Sequence, residues 1–412
     1  MRIIFVNLHI NWMLVRNTSV LIFKNSAAVK HEYFLKYLIE NPDIEVCNFI
    51  NDKGFSLYTH GGNSLKWLWH KCAKIEQDFV FRKNGIDKKK IKTITNVAEI
   101  RHDDIIIFYN LMQTNYNGLG DVNAFKVACM IHYGGDSSQY DRIKAAGVNC
   151  FMCEVNLQKT SELFRRYSTL NLPWVVHPFV FADRFQNINP FNNRKNKCFS
   201  TGTITYKNEK EFLEVYGDPC DQPARKFTKD NPEYFKDTVD SYSSDYLEDD
   251  TVKSIKPSDN SVIKLYKRIY NKTHLGKQKK YFSFNMVEKF NEYKMHLIGE
   301  EILGVPGIGF VEGMACGSAY IGLDSPMYRD HGLIPGVHYI AYDGTKEGLR
   351  QTVEYWQRPE HQEELERIAN AGCEFVRNNF CGSIVAPKIV ESLIVEQRNW
   401  DSLNLNLVHD NF

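Results

Sequence analysis

At 412 residues the chain is too long for one ordinary domain, and two domains are the natural expectation. An apolar share of 43% and a charged share of 25% are those of a globular protein, and a formal charge of +1 argues against a dedicated nucleic-acid binder. No apolar run reaches the roughly 18–20 residues of a membrane span. The 10 cysteines form no regular framework, so reduced thiols and a cytoplasmic setting are expected.

The start, MRIIFVNLHI, lacks a small-residue cleavage site and is interrupted by Asn7 and His9, so it reads as a strand, Arg2–Val6, and not as a leader. Asn7–Ser19 reads as a polar-aromatic loop, Ala27–Ile39 as a helix by its apolar spacing, and Glu45–Ile50 as a second strand. Residues 54–95 are irregular, with Trp67, Trp69 and a basic run over Arg82–Lys92. Apolar runs follow at Asp104–Tyr109, Phe125–His132, Asn149–Val155 and Trp174–Phe181, in the manner of a parallel sheet buried on both faces. Cys150 and Cys153 fall inside one of these runs and read as core. The asparagine-rich stretch Phe185–Lys197 reads as a linker, and Cys198–Ile204 as the first strand and glycine turn of a second domain.

Residues 206–280 are polar and carry little pattern; Glu248-Asp249-Asp250 lies in an acidic polar stretch and not at a strand end, so no metal site is expected there. The lysine runs at 82–92 and 264–280 interleave basic and aromatic residues, which suits contact with an anionic membrane surface as well as a solvated face. Asn285–Tyr293 reads as a helix. Lys294–Asp324 is the most informative stretch: an apolar run at Met295–Ile298, Glu300 and Glu301, a loop with Gly304, Gly307 and Gly309, then Glu312, Gly313 and Gly317, and a strand at Ala319–Leu323. That is a strand, glycine loop, short helix and strand, with the loop at the carboxyl end where open α/β sheets bind ligands. A carboxylate at that place repels phosphate, so Glu312 suits sugar or ribose hydroxyls. His338–Tyr342 reads as a strand, and Lys346–Gln357, Glu360–Asn379 and Ser383–Trp400 as helices.

Residues 307–322, GIGFVEGMACGSAYIG, resemble the donor-binding segment of GT-B fold glycosyltransferases, and most closely that of the retaining group 1 (family 4-like) enzymes. That group carries a Glu, seven residues, Glu pattern, and its segment reads Glu, Ala, Met, Ala, Cys, Gly. Glu312–Gly317 matches it with one substitution, at Gly313. HPFVFADRF, CFSTGTI and DGTKEGLRQTVEYW look like further parts of the family in the same order. Counting back from Glu312, the place of the first glutamate holds Gly304; Glu300 or Glu301 fills that role if Leu303–Gly309 is an insertion.

The resemblance implies an α/β protein of two Rossmann-like domains facing across a cleft, with C-terminal helices. Its divisions would be an acceptor-side domain at 1–187, a nucleotide-sugar donor domain at 196–382, and a helix and tail at 383–412 that packs back on the first domain. It implies transfer of a sugar from a nucleotide-sugar donor to a saccharide or lipid-linked saccharide acceptor, with retention and without a metal or other cofactor. The setting implied is surface polysaccharide or glycolipid assembly, such as lipopolysaccharide or capsule, at the inner face of the membrane. On the donor side the candidates are Gly202 and Thr203 for phosphate, Arg225, Lys226 or Lys280 for the leaving diphosphate, main-chain groups of Gly307, Ile308 and Gly309, and Glu312 for the ribose. His132, Glu300 and Glu301 are the candidates at the reacting centre, and Asn11, Arg16 and Asp136 on the acceptor side. A sugar-nucleotide epimerase of the same architecture and a non-catalytic carbohydrate- or nucleotide-binding protein are the alternatives.

Overall fold

The computed structural model describes residues 1–23, 29–51, 66–109, 118–131, 138–245, 260–274 and 284–409. Two compact units are distinguished: Met1–Glu154 with Tyr167–His177 and Gly382–Phe412, and Val155–Arg166 with Pro178–Cys381.

The first unit is built on seven strands: β1 (Arg2–Val6), β2 (Glu45–Phe49), β3 (Ile91–Ile94), β4 (Asp104–Phe108), β5 (Phe125–Cys129), β6 (Cys150–Cys153) and β7 (Trp174–Val176). They form one parallel sheet in the order β3-β2-β1-β4-β5-β6-β7. Every residue of β1, β4, β5 and β6 is buried, as a sheet covered on both faces requires. The charged residues among them are paired. Arg2 stands opposite Asp104 in the register and donates its Nε to Oδ1 at 2.6 Å, and the Lys126 ammonium donates to the Gly120 carbonyl at 3.0 Å.

Three segments differ from the sequence expectation. β3 was hidden in the basic run because an edge strand buries only Ile91 and Ile94 and leaves Lys92 outside. The expected Ala27–Ile39 helix is Glu32–Glu40, with His31 before its first turn. Asn7–Ser19 is no open loop: Leu8–Ile10 is a 3-10 turn, and Met13, Leu14 and Val15 are core residues. The last helix, Gly382–His409, packs on Glu32–Glu40 and on β7, and a side chain at Gly382 would press on Tyr33.

The second unit holds β8 (Lys195–Ser200), β9 (Thr203–Ile204), β10 (Val239–Ser241), β11 (Ser244–Asp245), β12 (Tyr293–Leu297), β13 (Ala319–Leu323) and β14 (Ile340–Tyr342). Its five-stranded sheet runs β10-β8-β12-β13-β14, and β9 pairs with β11; all pairings are parallel. Met295, Leu297, Ile321, Leu349, Val353, Leu365 and Ile368 form the core between sheet and helices. The asparagine-rich stretch before β8 is packed into this unit and does not behave as a linker. Phe185 and Phe191 are buried, and Arg194 donates to the Asn187 side chain at 2.7 Å and to the carbonyls of Asn189 and Cys316 at 2.9 and 2.8 Å. Asparagines there satisfy main-chain groups, a use that polar composition alone does not reveal.

All ten cysteines are free, and Cys150 and Cys153 are buried in β6. Among the described residues no helix is long and apolar enough to cross a membrane.

Candidate functional site

In the second sheet the chain runs from β8 outward to β10 on one side and to β12 on the other, so strand order reverses between β8 and β12. The carboxyl ends of two such strands part there, and open α/β sheets bind ligands in that crevice. The β8 end continues as Thr201-Gly202-Thr203, and the β12 end as Ile298-Gly299-Glu300.

Arg225 fastens these two ends together. It sits on the Pro223–Asp230 helix, is 8% exposed, and donates to the carbonyls of Ile298, Thr203 and Gly299, the last two at 2.7 and 3.1 Å. Gly202, at φ 141°, passes so close that a Cβ would lie 2.5 Å from the guanidinium. Gly307 is held the same way, with its missing Cβ 2.5 Å from Ile298 and 2.8 Å from Arg225. Arg225 thus shapes the crevice through main-chain carbonyls, a different task from a lone cation facing a diphosphate. Lys226 is half-buried and paired with Asp230 at 2.9 Å, which raises its pKa. Lys280 lies outside the described residues.

Three hydroxyls at this edge are buried and have no hydrogen-bond partner among the described residues: Thr201 Oγ1 after β8, and Ser243 Oγ and Ser244 Oγ after β10. They escaped the sequence reading, although each lies at or just past a strand's carboxyl end. Thr203, half-buried, begins β9.

The loop after β12 leads to the Gly309–Ala315 helix, with Ile308 before it and half-buried Glu312 on it. Gly309 packs on Ile298, where a Cβ would lie 2.8 Å from its Cδ1. Gly313 lies on the His296 ring, and a side chain there would overlap the imidazole. His296 is fully buried on β12, with Nε2 3.3 Å from the Phe310 carbonyl, and burial pushes its pKa down to about 3. The one departure of Glu312–Gly317 from the pattern it resembles therefore has a steric cause: with histidine beneath, glycine is the residue that fits.

Glu300 and Glu301 part company. Glu300 is 5% exposed, and its Oε1 accepts from the Tyr328 hydroxyl at 2.7 Å, the Leu323 N–H at 2.9 Å and the Tyr320 hydroxyl at 3.2 Å. Burial, and then the Glu300 charge, push both tyrosines well above their ordinary pKa, so they remain donors. Glu300 thus ties the end of β12 to the end of β13. Glu300→Ala leaves the Leu323 N–H and one of the two tyrosine hydroxyls, which lie 2.6 Å from each other, short of an acceptor, and is expected to cost about 1–3 kcal/mol in urea denaturation. Glu301 is half-buried, and its N–H donates to the Val305 carbonyl at 2.8 Å. Gly304, at φ 86°, abuts the Thr160 carbonyl so closely that no Cβ fits. The place of the family's first glutamate is therefore closed to any side chain.

In the first unit strand order reverses between β1 and β4. Asn7, directly after β1, has φ 54° and is the one non-glycine residue described with positive φ. It is 1% exposed, and its Nδ2 has no hydrogen-bond partner among the described residues. Asn11 is buried and accepts from the Met13 N–H at 3.0 Å, while Arg16 is exposed with its main chain bracketed by the Asn84 amide. His132, Asp136 and residues 248–250 lie outside the described residues.

A buried polar set also stands at this sheet's carboxyl edge. Glu154 follows β6, Tyr109 follows β4 and His177 follows β7; His31 Nε2 is 3.0 Å from Glu154 Oε1, and its Nδ1 is 2.5 Å from the Tyr109 hydroxyl. The rings of His31 and His177 are 5.7 Å apart. A polar residue closing an apolar run was the available signal for Tyr109 and Glu154. Among the described residues no group of His, Cys, Asp and Glu is arranged to hold a metal ion.

No protein-family model matches the sequence, and no curated protein is similar to it. Solved structures are. HepE from Anabaena, in complex with UDP and glucose, superposes with a TM-score of 0.52 at 11% identity, over 96% of this chain and 100% of that one. Sucrose-phosphate synthase from Thermosynechococcus elongatus superposes at 0.51 and 9% identity over 98% and 100% of the two chains, and a glycosyltransferase from Rickettsia africae at 0.51 and 13% over 97% and 99%. An α/β chain of two parallel-sheet units that superposes along nearly its whole length on these enzymes has the GT-B glycosyltransferase fold.

Proposed function

We propose that the protein transfers a sugar from a nucleotide-sugar donor to a saccharide or lipid-linked saccharide acceptor, retaining the anomeric configuration, in surface polysaccharide or glycolipid assembly. The observation that carries the reading is Glu312: half-buried, on the helix that leaves β12, beside the crevice where β8 and β12 part. A carboxylate so placed accepts hydrogen bonds from vicinal ribose hydroxyls. Thr201, Ser243 and Ser244 offer buried hydroxyls to the rest of the nucleoside. Main-chain groups of Gly307, Ile308 and Gly309 are proposed for the diphosphate and transferred sugar, without a metal. Because HepE has been seen with UDP-glucose, uridine nucleotides head the donor panel.

The test is thermal shift and calorimetry with UDP, GDP, ADP and their sugar conjugates, each with and without a chelator. One nucleotide is expected to raise the melting temperature whether or not the chelator is present. Glu312→Ala is expected to weaken that nucleotide by about 10–100-fold, the loss of hydrogen bonds to a charged group, while leaving the unliganded melting temperature in place. Absence of any stabilising nucleotide, or an unchanged affinity in the variant, sinks the reading. Conversion of the sugar nucleotide with no acceptor present would favour an epimerase instead.

A further inference from the structure

Asp221, two residues before the Pro223–Asp230 helix, clasps the same two chain ends as Arg225. Its N–H donates to the Thr205 carbonyl at 2.9 Å, just past β9, and its own carbonyl accepts the Ile302 N–H at 2.7 Å, in the loop after β12. The Asp221 side chain is 3% exposed and forms an ion pair through Oδ2 with Lys207 Nζ at 3.1 Å. Lys207 is itself held. Its N–H donates to the Pro219 carbonyl at 2.8 Å, and its ammonium lies 5.7 Å from the centre of the Phe212 ring. The other carboxylate oxygen, Asp221 Oδ1, is buried and has no hydrogen-bond partner among the described residues. A charged oxygen shut away from water without a donor is costly, so such atoms are rare in native folds and each has a cause.

We infer that Asp221 Oδ1 accepts a hydroxyl of the transferred sugar, and that the protein selects its donor by that hydroxyl. This contact rests on the donor-site reading above and names one partner within it. The Asp221 charge is already matched by Lys207, so a neutral hydroxyl completes the pair without adding an unbalanced buried charge. A phosphate oxygen would instead be repelled by the carboxylate. Position separates Asp221 from the nucleoside as well. Thr201, Ser243 and Ser244 lie on the β8 and β10 side, whereas Asp221 is bonded to the loop that leads from β12 to Gly307 and Gly309. The ion pair and two main-chain hydrogen bonds hold the carboxylate in place before a ligand arrives, so little ordering is left to be done on binding.

Calorimetry tests this with UDP, GDP and ADP, with UDP-glucose, GDP-mannose and ADP-glucose, and with deoxy forms of the tightest-binding conjugate. In the wild type, loss of one sugar hydroxyl is expected to weaken binding about 10–100-fold, the value of a hydrogen bond to a charged group. Asp221→Asn keeps the shape, and its carbonyl oxygen is drawn to the Lys207 ammonium, which puts an NH2 donor where the acceptor was. That variant is expected to weaken the full conjugate by the same factor while leaving the parent diphosphate unchanged. It should also bind the deoxy conjugate no worse than the wild type does. Wild-type indifference to every sugar hydroxyl, or equal losses for conjugate and diphosphate in the variant, overturns the inference and leaves the Glu312 reading in place. The deoxy series uses the wild type alone, so it can decide against Asp221 even if the variant is unstable. Binding of no diphosphate at all sinks the Glu312 reading, and the Asp221 contact with it.

Discussion

Glu154→Ala is expected to destabilise the protein by about 1–3 kcal/mol at neutral pH, because it strips a buried hydrogen-bonding partner from His31. Burial alone would raise the Glu154 carboxyl, but the hydrogen bond from His31 and the charges of His31 and His177 overcome it and hold the pKa at about 2. The folded pKa is thus below the ordinary 4.5, so the stabilisation is fully present above pH 4.5 and is lost as pH falls from there towards 2. Over that window the loss amounts to about 3 kcal/mol. Urea denaturation of wild type and variant at neutral and at acid pH measures it: the gap between them should shrink at acid pH. A gap of constant size would mean that the carboxylate's charge is not what stabilises this set. Tyr109 is pushed well above its ordinary range by burial, so its hydroxyl stays protonated beside His31 Nδ1.

Gly313→Ala is expected to cost about 3 kcal/mol, the upper end of overpacking, because the new methyl would enter the His296 ring and both elements are held in place. β12 is central in its sheet, and the Gly309–Ala315 helix packs between β13 and the Gln362–Asn379 helix. The cost should fall below about 1 kcal/mol when the same change is made in His296→Val, which leaves room for the methyl. Additive costs in this double-mutant cycle would show that glycine is needed there for another reason. The histidine brings its own signature. Its folded pKa of about 3 lies below 6.5, so the protein is fully stable on this account above pH 6.5 and weakens as pH falls towards 3, by about 1.4 kcal/mol per unit. His296→Val should remove that slope between pH 6.5 and 4.5, above the window in which Glu154 acts.

Both effects are long-range. His31 and Glu154 are 123 positions apart along the chain, and nothing in the sequence near either names the other. What could be read was local. Ala319–Leu323 and Lys346–Gln357 have the extents their apolar spacing predicts, and the α/β class followed from apolar runs too continuous for a half-exposed sheet. β3 could not be read that way, since an edge strand among lysines carries little apolar signal.

The second unit draws the same division at the candidate site. Segment 307–317 announces itself in one dimension, because close main-chain approach demands glycine and a helix start beside a sheet's carboxyl end needs few residues to describe. Which carboxylate the fold ties into its own main chain is a different kind of question. Glu300 and Glu301 are neighbours of one chemical type, yet Glu300 is buried among two tyrosine hydroxyls and a main-chain N–H while Glu301 borders the Val305 turn. Arg225 read as a free cation until the fold brought three carbonyls to it from β9 and from the loop after β12. Residue types and short-range spacing carry backbone conformation and burial pattern, because those are set by each residue and its near neighbours. Hydrogen-bond partners and ionisation are set by groups that only folding brings within about 3 Å.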